Sequence, residues 1–136
     1  MRVLIMHQAD KKIEGSAAAL QKALEKEGLR VDLVSSGDLG SAPVSTAPYR
    51  LICVISGFKG WFRPKIPSEM KNMLERASRL AGKRAGAFVQ AKLGSGKALR
   101  ALMADMERQG VFVEDFGTLG GGEEMAVIAE RLKRLV

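Results

Sequence analysis

The chain has one cysteine, one histidine and few aromatic residues among its 136 positions. A single cysteine, Cys53, excludes an internal disulfide. Its setting, Leu51-Ile52-Cys53-Val54-Ile55, points to a buried strand thiol in a reducing compartment. With His7 as the only imidazole, no ordinary Cys/His metal site can be assembled. There is likewise no Gly-x-Ser-x-Gly elbow and no histidine-assisted nucleophile. Aromatics make up 5% of the chain, which leaves little for base stacking, and no arginine-rich tract or zinc-finger spacing is present; these absences disfavour nucleic acid as a partner. No apolar run approaches the ~18 residues of a membrane span. The first strand pattern opens almost at Met1, so no signal peptide is expected and the cytoplasm is the expected location.

Hydrophobic residues are plentiful at 46%, enough for a core, and the length fits one domain spanning 1–136. The formal net charge is +7, but the cations are dispersed. Lys22, Lys26, Arg131, Lys133 and Arg134 fall on helix faces and near helix ends, where a cation complements the helix dipole. The excess reads first as solvated surface, with an anionic partner as the alternative.

Apolar runs alternate with helical periods. Val3-Leu4-Ile5-Met6 is a strand pattern buried on both faces. A helix is expected from about Ser16 to Glu27, with Ser16 as cap, Leu20, Ala23 and Leu24 as apolar stripe, and Gly28 as stop. Arg30 to Val34 is the second strand. Ser35–Pro48, rich in Ser, Gly and Pro, reads as a long loop in place of a crossover helix. Leu51–Ile55 is the third strand, and Gly57–Pro67 is irregular. From Ser68 a helical period returns through Met70, Met73, Leu74 and Ala77.

The fourth strand is Ala85–Val89, followed by the loop Gln90–Gly96 and a helix with Leu99, Leu102, Met103 and Met106 on one stripe. Val111-Phe112-Val113 begins the fifth strand, and Gly120-Gly121-Gly122 breaks the chain. Glu123-Glu124 then reads as an acidic first turn of a last helix bearing Met125, Ile128, Ala129 and Leu132. The methionines on these stripes are core filler. The order implies an α/β fold: a doubly wound, five-stranded parallel sheet with helices on both faces. In such sheets ligands bind beyond the carboxyl ends of the strands, at the switch point in strand order. That directs attention to His7–Gly15, Ser56–Pro67 and Gln90–Gly96.

Three stretches resemble the flavodoxin superfamily, and particularly its FMN-dependent NAD(P)H and quinone reductase branch. Tyr49 to Gly57 is similar to the family's third strand running into a small-residue turn. Pro67 to Glu75 is similar to its proline-started helix, and Gly82-Lys83 leads into an Ala/Gly-rich strand as in the family. The resemblance implies a flavodoxin-like fold, with FMN as cofactor held by the same three loops. It implies NAD(P)H and a small quinone-like acceptor as further partners, and a homo-oligomer is a compatible assembly.

In the family the first loop holds the phosphate through a Ser/Thr-x-Thr-Gly-x-Thr segment. The corresponding segment here is Asp10-Lys11-Lys12-Ile13-Glu14-Gly15-Ser16. Gly15 and Ser16 have suitable chemistry, with the glycine one place late. Lys11 and Lys12 attract phosphate, Glu14 repels it, and the other hydroxyls are missing. An ordinary capped helix is the competing reading.

The second loop follows Ser56 and runs Gly57-Phe58-Lys59-Gly60-Trp61-Phe62-Arg63-Pro64. The resemblance places Trp61 or Phe62 against the flavin ring, with Lys59 or Arg63 near its negative charge. The family's Pro-x-Tyr element is not reproduced. The competing reading packs Phe58 and Phe62 onto the domain and gives Trp61 to a subunit interface. In the third loop, Gly94, Ser95 and Gly96 would bring backbone N–H groups to the flavin edge; a flexible loop and helix cap is the alternative. The Gly-Ser-Gly-Lys run is not a P-loop, because Ala91 replaces the first glycine and Ala98 follows Lys97. His7 ends the first strand, where it is either a proton-transfer residue or a structural one.

Two functions follow. One is an FMN-binding, NAD(P)H-dependent oxidoreductase of the flavin/quinone type. The other is a flavin-free binding or regulatory module that uses the basic, aromatic-bearing loops on the same fold.

Overall fold

The computed structural model of the protein describes residues 1–38, 43–120 and 125–136. Its elements run β1 (Arg2–His7), α1 (Lys11–Lys26), β2 (Arg30–Ser35), β3 (Val44–Ser45), β4 (Leu51–Ser56), α2 (Ser68–Arg76), β5 (Ala77–Ser78), β6 (Arg84–Gln90), α3 (Ser95–Arg108), β7 (Phe112–Leu119) and α4 (Met125–Lys133). Five strands form a parallel sheet in the order β2-β1-β4-β6-β7. Strand order reverses between β1 and β4, so the loops after β1, β4 and β6 open on one edge of the sheet around that reversal.

Alternation along the strands assigns the two faces. Leu4, Met6, Ile52, Val54, Ala85 and Ala87 pack with Met70, Met73 and Leu74 of α2 and with Leu99, Leu102 and Met106 of α3. Val3, Ile5, Leu51, Cys53, Ile55 and Phe88 pack with Ile13, Ala17, Leu20 and Leu24 of α1 and with Ile128, Ala129 and Leu132 of α4. A strand with helices on both sides must be apolar at consecutive positions, which is why β4 is buried from Leu51 to Ser56. Cys53 is a buried free thiol in this layer, and burial pushes its pKa up to about 12. Met6, Met70, Met73 and Met106 are core residues, as the stripes imply.

Two details depart from the sequence-based expectation, at the start of α1 and in the 35–48 connection, and the fifth strand, read from its beginning at Val111-Phe112-Val113, acquires its far end. Helix α1 starts at Lys11 rather than near Ser16, and its cap is Asp10. Part of the 35–48 connection is a short strand: Val44–Ser45 pairs in parallel with Ala77–Ser78, which takes Ala77 out of the preceding helix. The fifth strand continues to Leu119. Within the 35–48 connection, residues 39–42 lie outside the described residues, as do Gly121, Gly122 and the Glu123-Glu124 turn.

Candidate functional site

The edge carrying the three loops is organised around Gly57, directly after β4. The Gly57 N–H donates to Oε1 of Gln8 at 2.8 Å. A Cβ built on Gly57 would lie 2.9 Å from Gln8 Oε1 and 3.4 Å from Gln90 Oε1. Two neutral carboxamides, one from the end of β1 and one from the end of β6, therefore converge on the end of the strand between them. Two hollows open beside this floor. One, of about 710 Å³, is lined by Gln8, Lys59, Gly60, Arg63 and Glu69 among others. The other, of about 490 Å³, is lined by Lys12, Gly15, Ser16, Gln90 and Ala91 among others. Both fall in the size range of small-molecule sites.

The loop after β4 is a closed tongue. Lys59 and Lys65 exchange backbone hydrogen bonds of 3.2 and 2.9 Å, so the chain doubles back through Gly60-Trp61-Phe62-Arg63-Pro64. Phe58 sits inside this base and is only 3% exposed, with Lys92 Nζ 4.7 Å from its ring centre. Trp61 and Phe62 stand on the tip, each 62% exposed, as an edge-to-face pair with centroids 5.8 Å apart.

The loop after β6 supports the tongue from beneath. Gly94 has φ +92, and a Cβ there would lie 2.8 Å from Trp61 Cα and from the Trp61 carbonyl oxygen. Backbone meets backbone at this point, which only glycine permits. Lys97 completes the contact: its Nζ donates to the Phe62 carbonyl at 3.3 Å and lies 5.1 Å from the Phe62 ring centre. On the far side, Ser36 accepts from the Ala9 N–H at 2.8 Å and donates to Glu69 at 2.9 Å, joining the β1 loop to the start of α2.

The first loop is where the geometry differs most from expectation. Asp10 Oδ1 accepts from the Lys12 N–H at 3.0 Å and the Ile13 N–H at 3.3 Å, while the Asp10 carbonyl accepts from the Glu14 N–H at 2.8 Å. Gly15 and Ser16 therefore lie inside the helix, and Ser16 is not its cap. The amides that make a helix start an anion site are already bound to an internal carboxylate. A phosphate monoester there would have to displace Asp10 and sit beside it. Asp10 is exposed, so its repulsion of such an ester is screened by solvent, and Lys11 and Lys12 beside it act in the opposite direction. The two hollows are lined by carboxamide and charged groups and not by the Trp61 or Phe62 rings, and the Lys12 and Ile13 amides at the α1 start are already occupied by Asp10.

Other candidate positions also separate. His7 is 5% exposed and its Nδ1 lies 3.1 Å from the Gln8 carbonyl oxygen, so its ring is turned to the protein rather than to the crevice. Ser56 is fully buried and its hydroxyl donates to the Gly57 carbonyl at 2.7 Å. Ser95 starts α3, with its N–H bonded to the Lys92 carbonyl at 3.0 Å, and a Cβ on Gly96 would meet open space. Sequence reasoning missed Asp10, Gln8 and Gln90. The signal for Asp10 was present: aspartate is a favoured N-cap, and Ile13, Ala17, Leu20 and Leu24 continue the stripe behind it. The glutamines gave no local signal, since they meet only when three strands are in register.

Solved structures that share this fold include flavodoxins. The chain aligns with a two-electron reduced flavodoxin from Megasphaera elsdenii at TM-score 0.78 and 19% identity, covering 97% of this chain and 98% of that one. The oxidised flavodoxin 1 from Bacillus cereus gives TM-score 0.71 and 16% identity over 99% and 96% of the two chains. The fold is flavodoxin-like. A Fusobacterium nucleatum flavodoxin, bound to flavin mononucleotide in its crystal, aligns at TM-score 0.63 and 10% identity over 98% and 97% of the chains. No family model matches the sequence, and no curated protein matches it. Among the described residues, no helix is long and apolar enough to cross a membrane, and no group of three or more His, Cys, Asp or Glu is placed to hold a metal ion.

Proposed function

We propose that the protein binds a flavin-type ring at the switch-point crevice and serves in electron transfer. The observation that carries this reading is the meeting of three loops at the β1/β4 reversal, with the Trp61–Phe62 tongue braced on Gly94 beside the Gln8–Gln90 floor. A bound flavin supplies the redox chemistry, and the chain's own groups hold and orient it. Trp61 offers a face for stacking, Gln8 and Gln90 offer neutral hydrogen-bonding groups, and Lys59 and Arg63 bring positive charge to one rim. Within this reading, NAD(P)H is the proposed donor and a small quinone-class molecule the proposed acceptor. His7, turned inward, is left out of the proton chemistry.

A second reading has its own support. The exposed Trp61–Phe62 pair and the sealed α1 start both suit a flavin-free module that docks a partner through its tongue. Flavin-fluorescence titration separates the two. Saturable quenching by micromolar flavin, weakened at least tenfold in Trp61→Ala, supports the flavin site. Because Trp61 is mostly exposed, the substitution should leave stability within about 0.5 kcal/mol of wild type, as for other surface changes. No quenching at millimolar flavin would leave only the partner-docking reading.

A further inference from the structure

We propose that this crevice takes the flavin ring with a neutral side chain, the riboflavin class, and discriminates against the 5′-phosphorylated form. The inference rests on the flavin reading above and deepens it by naming the ligand class. Two independent features carry it. The first is the start of α1, the helix that follows β1 at the strand-order reversal. In general, such a helix start is where an anion is held against a doubly wound sheet. Here the Lys12 and Ile13 amides are bound by Asp10 at 3.0 and 3.3 Å, so the donors are occupied, while Asp10 and Glu14 balance the charges of Lys11 and Lys12 in the same turn. The hydroxyls that would wrap a phosphate are absent, since the turn reads Lys11-Lys12-Ile13-Glu14.

The second feature is the floor. Gln8 and Gln90 present uncharged carboxamides that both donate and accept, and Gln8 is fixed by the Gly57 amide at 2.8 Å. Such groups match the hydroxyls of a polyol or the imide edge of a ring, and carry no charge to compensate a phosphate. The hollow beside the same floor is mixed in charge, with Lys59, Arg63 and Lys65 facing Glu69, so the discrimination is assigned to the α1 start and not to this hollow.

The test is parallel quenching titrations of the whole chain with riboflavin and with FMN, repeated on Asp10→Ser. Serine keeps an N-cap hydroxyl for the same amides while removing the charge, and circular dichroism checks that the helix content is unchanged. In wild type, riboflavin should half-saturate at a concentration at least tenfold below FMN. In Asp10→Ser, FMN should gain at least tenfold while riboflavin stays within twofold. Equal or tighter binding of FMN by wild type overturns the discrimination and leaves the flavin reading standing. An unchanged FMN preference in a folded Asp10→Ser overturns the assignment to Asp10. Quenching by neither flavin overturns the flavin reading itself, and this inference with it.

Discussion

At the amino-terminal end of the parallel sheet, Asp32 accepts from Arg2 at 2.8 Å and from the Tyr49 hydroxyl at 2.7 Å, Arg2 lies 4.9 Å from the Tyr49 ring centre, and Lys83 Nζ donates to the Tyr49 carbonyl at 2.6 Å. At the carboxyl end the largest side chains, Trp61 and Phe62, touch mainly each other and water. One end uses polar side chains to fix strand starts. The other spends glycines, Gly57, Gly60 and Gly94, to bring loops together and leaves aromatic surface uncovered. Side-chain ties at the first end are individually weak and numerous. Close backbone approach at Gly60 and Gly94 is all-or-none, because the neighbouring atoms are backbone and cannot turn away to relieve it. Left-handed backbone occurs at both ends, at Arg79, Gly82 and Gly110 in the first and at Gly60 and Gly94 in the second, and the tightest backbone contact among these, at Gly94, lies beside the crevice.

The largest effect expected follows from that contrast. Gly94→Ala adds a Cβ 2.8 Å from two Trp61 backbone atoms at a residue with φ +92. Strain of this kind costs about 1–3 kcal/mol before any clash is counted, so urea denaturation should show a loss of about 3 kcal/mol and a shifted Trp61 emission. Gly96→Ala, two residues on and facing open space inside α3, should instead gain up to about 1 kcal/mol from helix propensity. Equal behaviour of the two variants would mean that the tongue does not rest on Gly94.

The same contrast explains what could be read from the sequence. The five strands and four helices follow from apolar periods, and β4 announces itself through five consecutive apolar residues, Leu51 to Ile55. The three loops follow from topology alone. Helix α1 was misplaced because Gly15-Ser16 mimics a loop ending in a cap. Gly15 is in fact tolerated on the exposed face, where the Ile13–Ala17–Leu20–Leu24 stripe pays for it. The short Val44–Ser45 strand has no period long enough to detect, and it exists only because Ala77–Ser78 lies alongside. Gln8 and Gln90 are polar residues at strand ends with nothing in their neighbours to mark them. Their convergence is a property of the β1-β4-β6 register, which pairs His7 with Ile55 and Ser56 with Val89.

A smaller effect sharpens the account of the floor. Gly57→Ala places a methyl 2.9 Å from Gln8 Oε1, the far end of a flexible side chain, which can swing aside. The price is the hydrogen bond from the Gly57 amide, about 1 kcal/mol, partly returned by the reduced freedom of the unfolded chain. Denaturation should therefore show a loss below about 1 kcal/mol, well under that of Gly94→Ala. Riboflavin affinity should fall by more than stability does, because the displaced Gln8 leaves the floor. A loss of stability as large as that of Gly94→Ala would show that Gln8 is locked, and that the carboxyl end is rigid at its floor as well as at its tongue.

The smallest effect belongs to the amino-terminal end and has a signature in pH. The Tyr49 hydroxyl bond, followed by Arg2, holds the Asp32 carboxyl below its ordinary value. Burial, followed by Asp32, raises the Tyr49 hydroxyl above its own. A depressed carboxylate contributes stability above its unfolded pKa, about 3.9, and loses it as pH falls through the folded value. A raised phenol contributes below its unfolded pKa, about 10, and loses it as pH rises through the folded value. Tyr49→Phe removes both contributions. The side chain of Asp32 is half exposed, so the plateau difference between wild type and variant should be only about 0.5 kcal/mol. It should hold between about pH 4 and pH 10, where both groups keep their folded charge states, and shrink on both sides. A difference that persists unchanged at pH 2 would mean that the Tyr49 hydroxyl contributes without the Asp32 charge, since phenylalanine keeps the ring beside Arg2. The amino-terminal end would then be held by hydrogen bonds that survive loss of the carboxylate charge, and its contrast with the crevice would lie in polar ties that do not depend on ionisation.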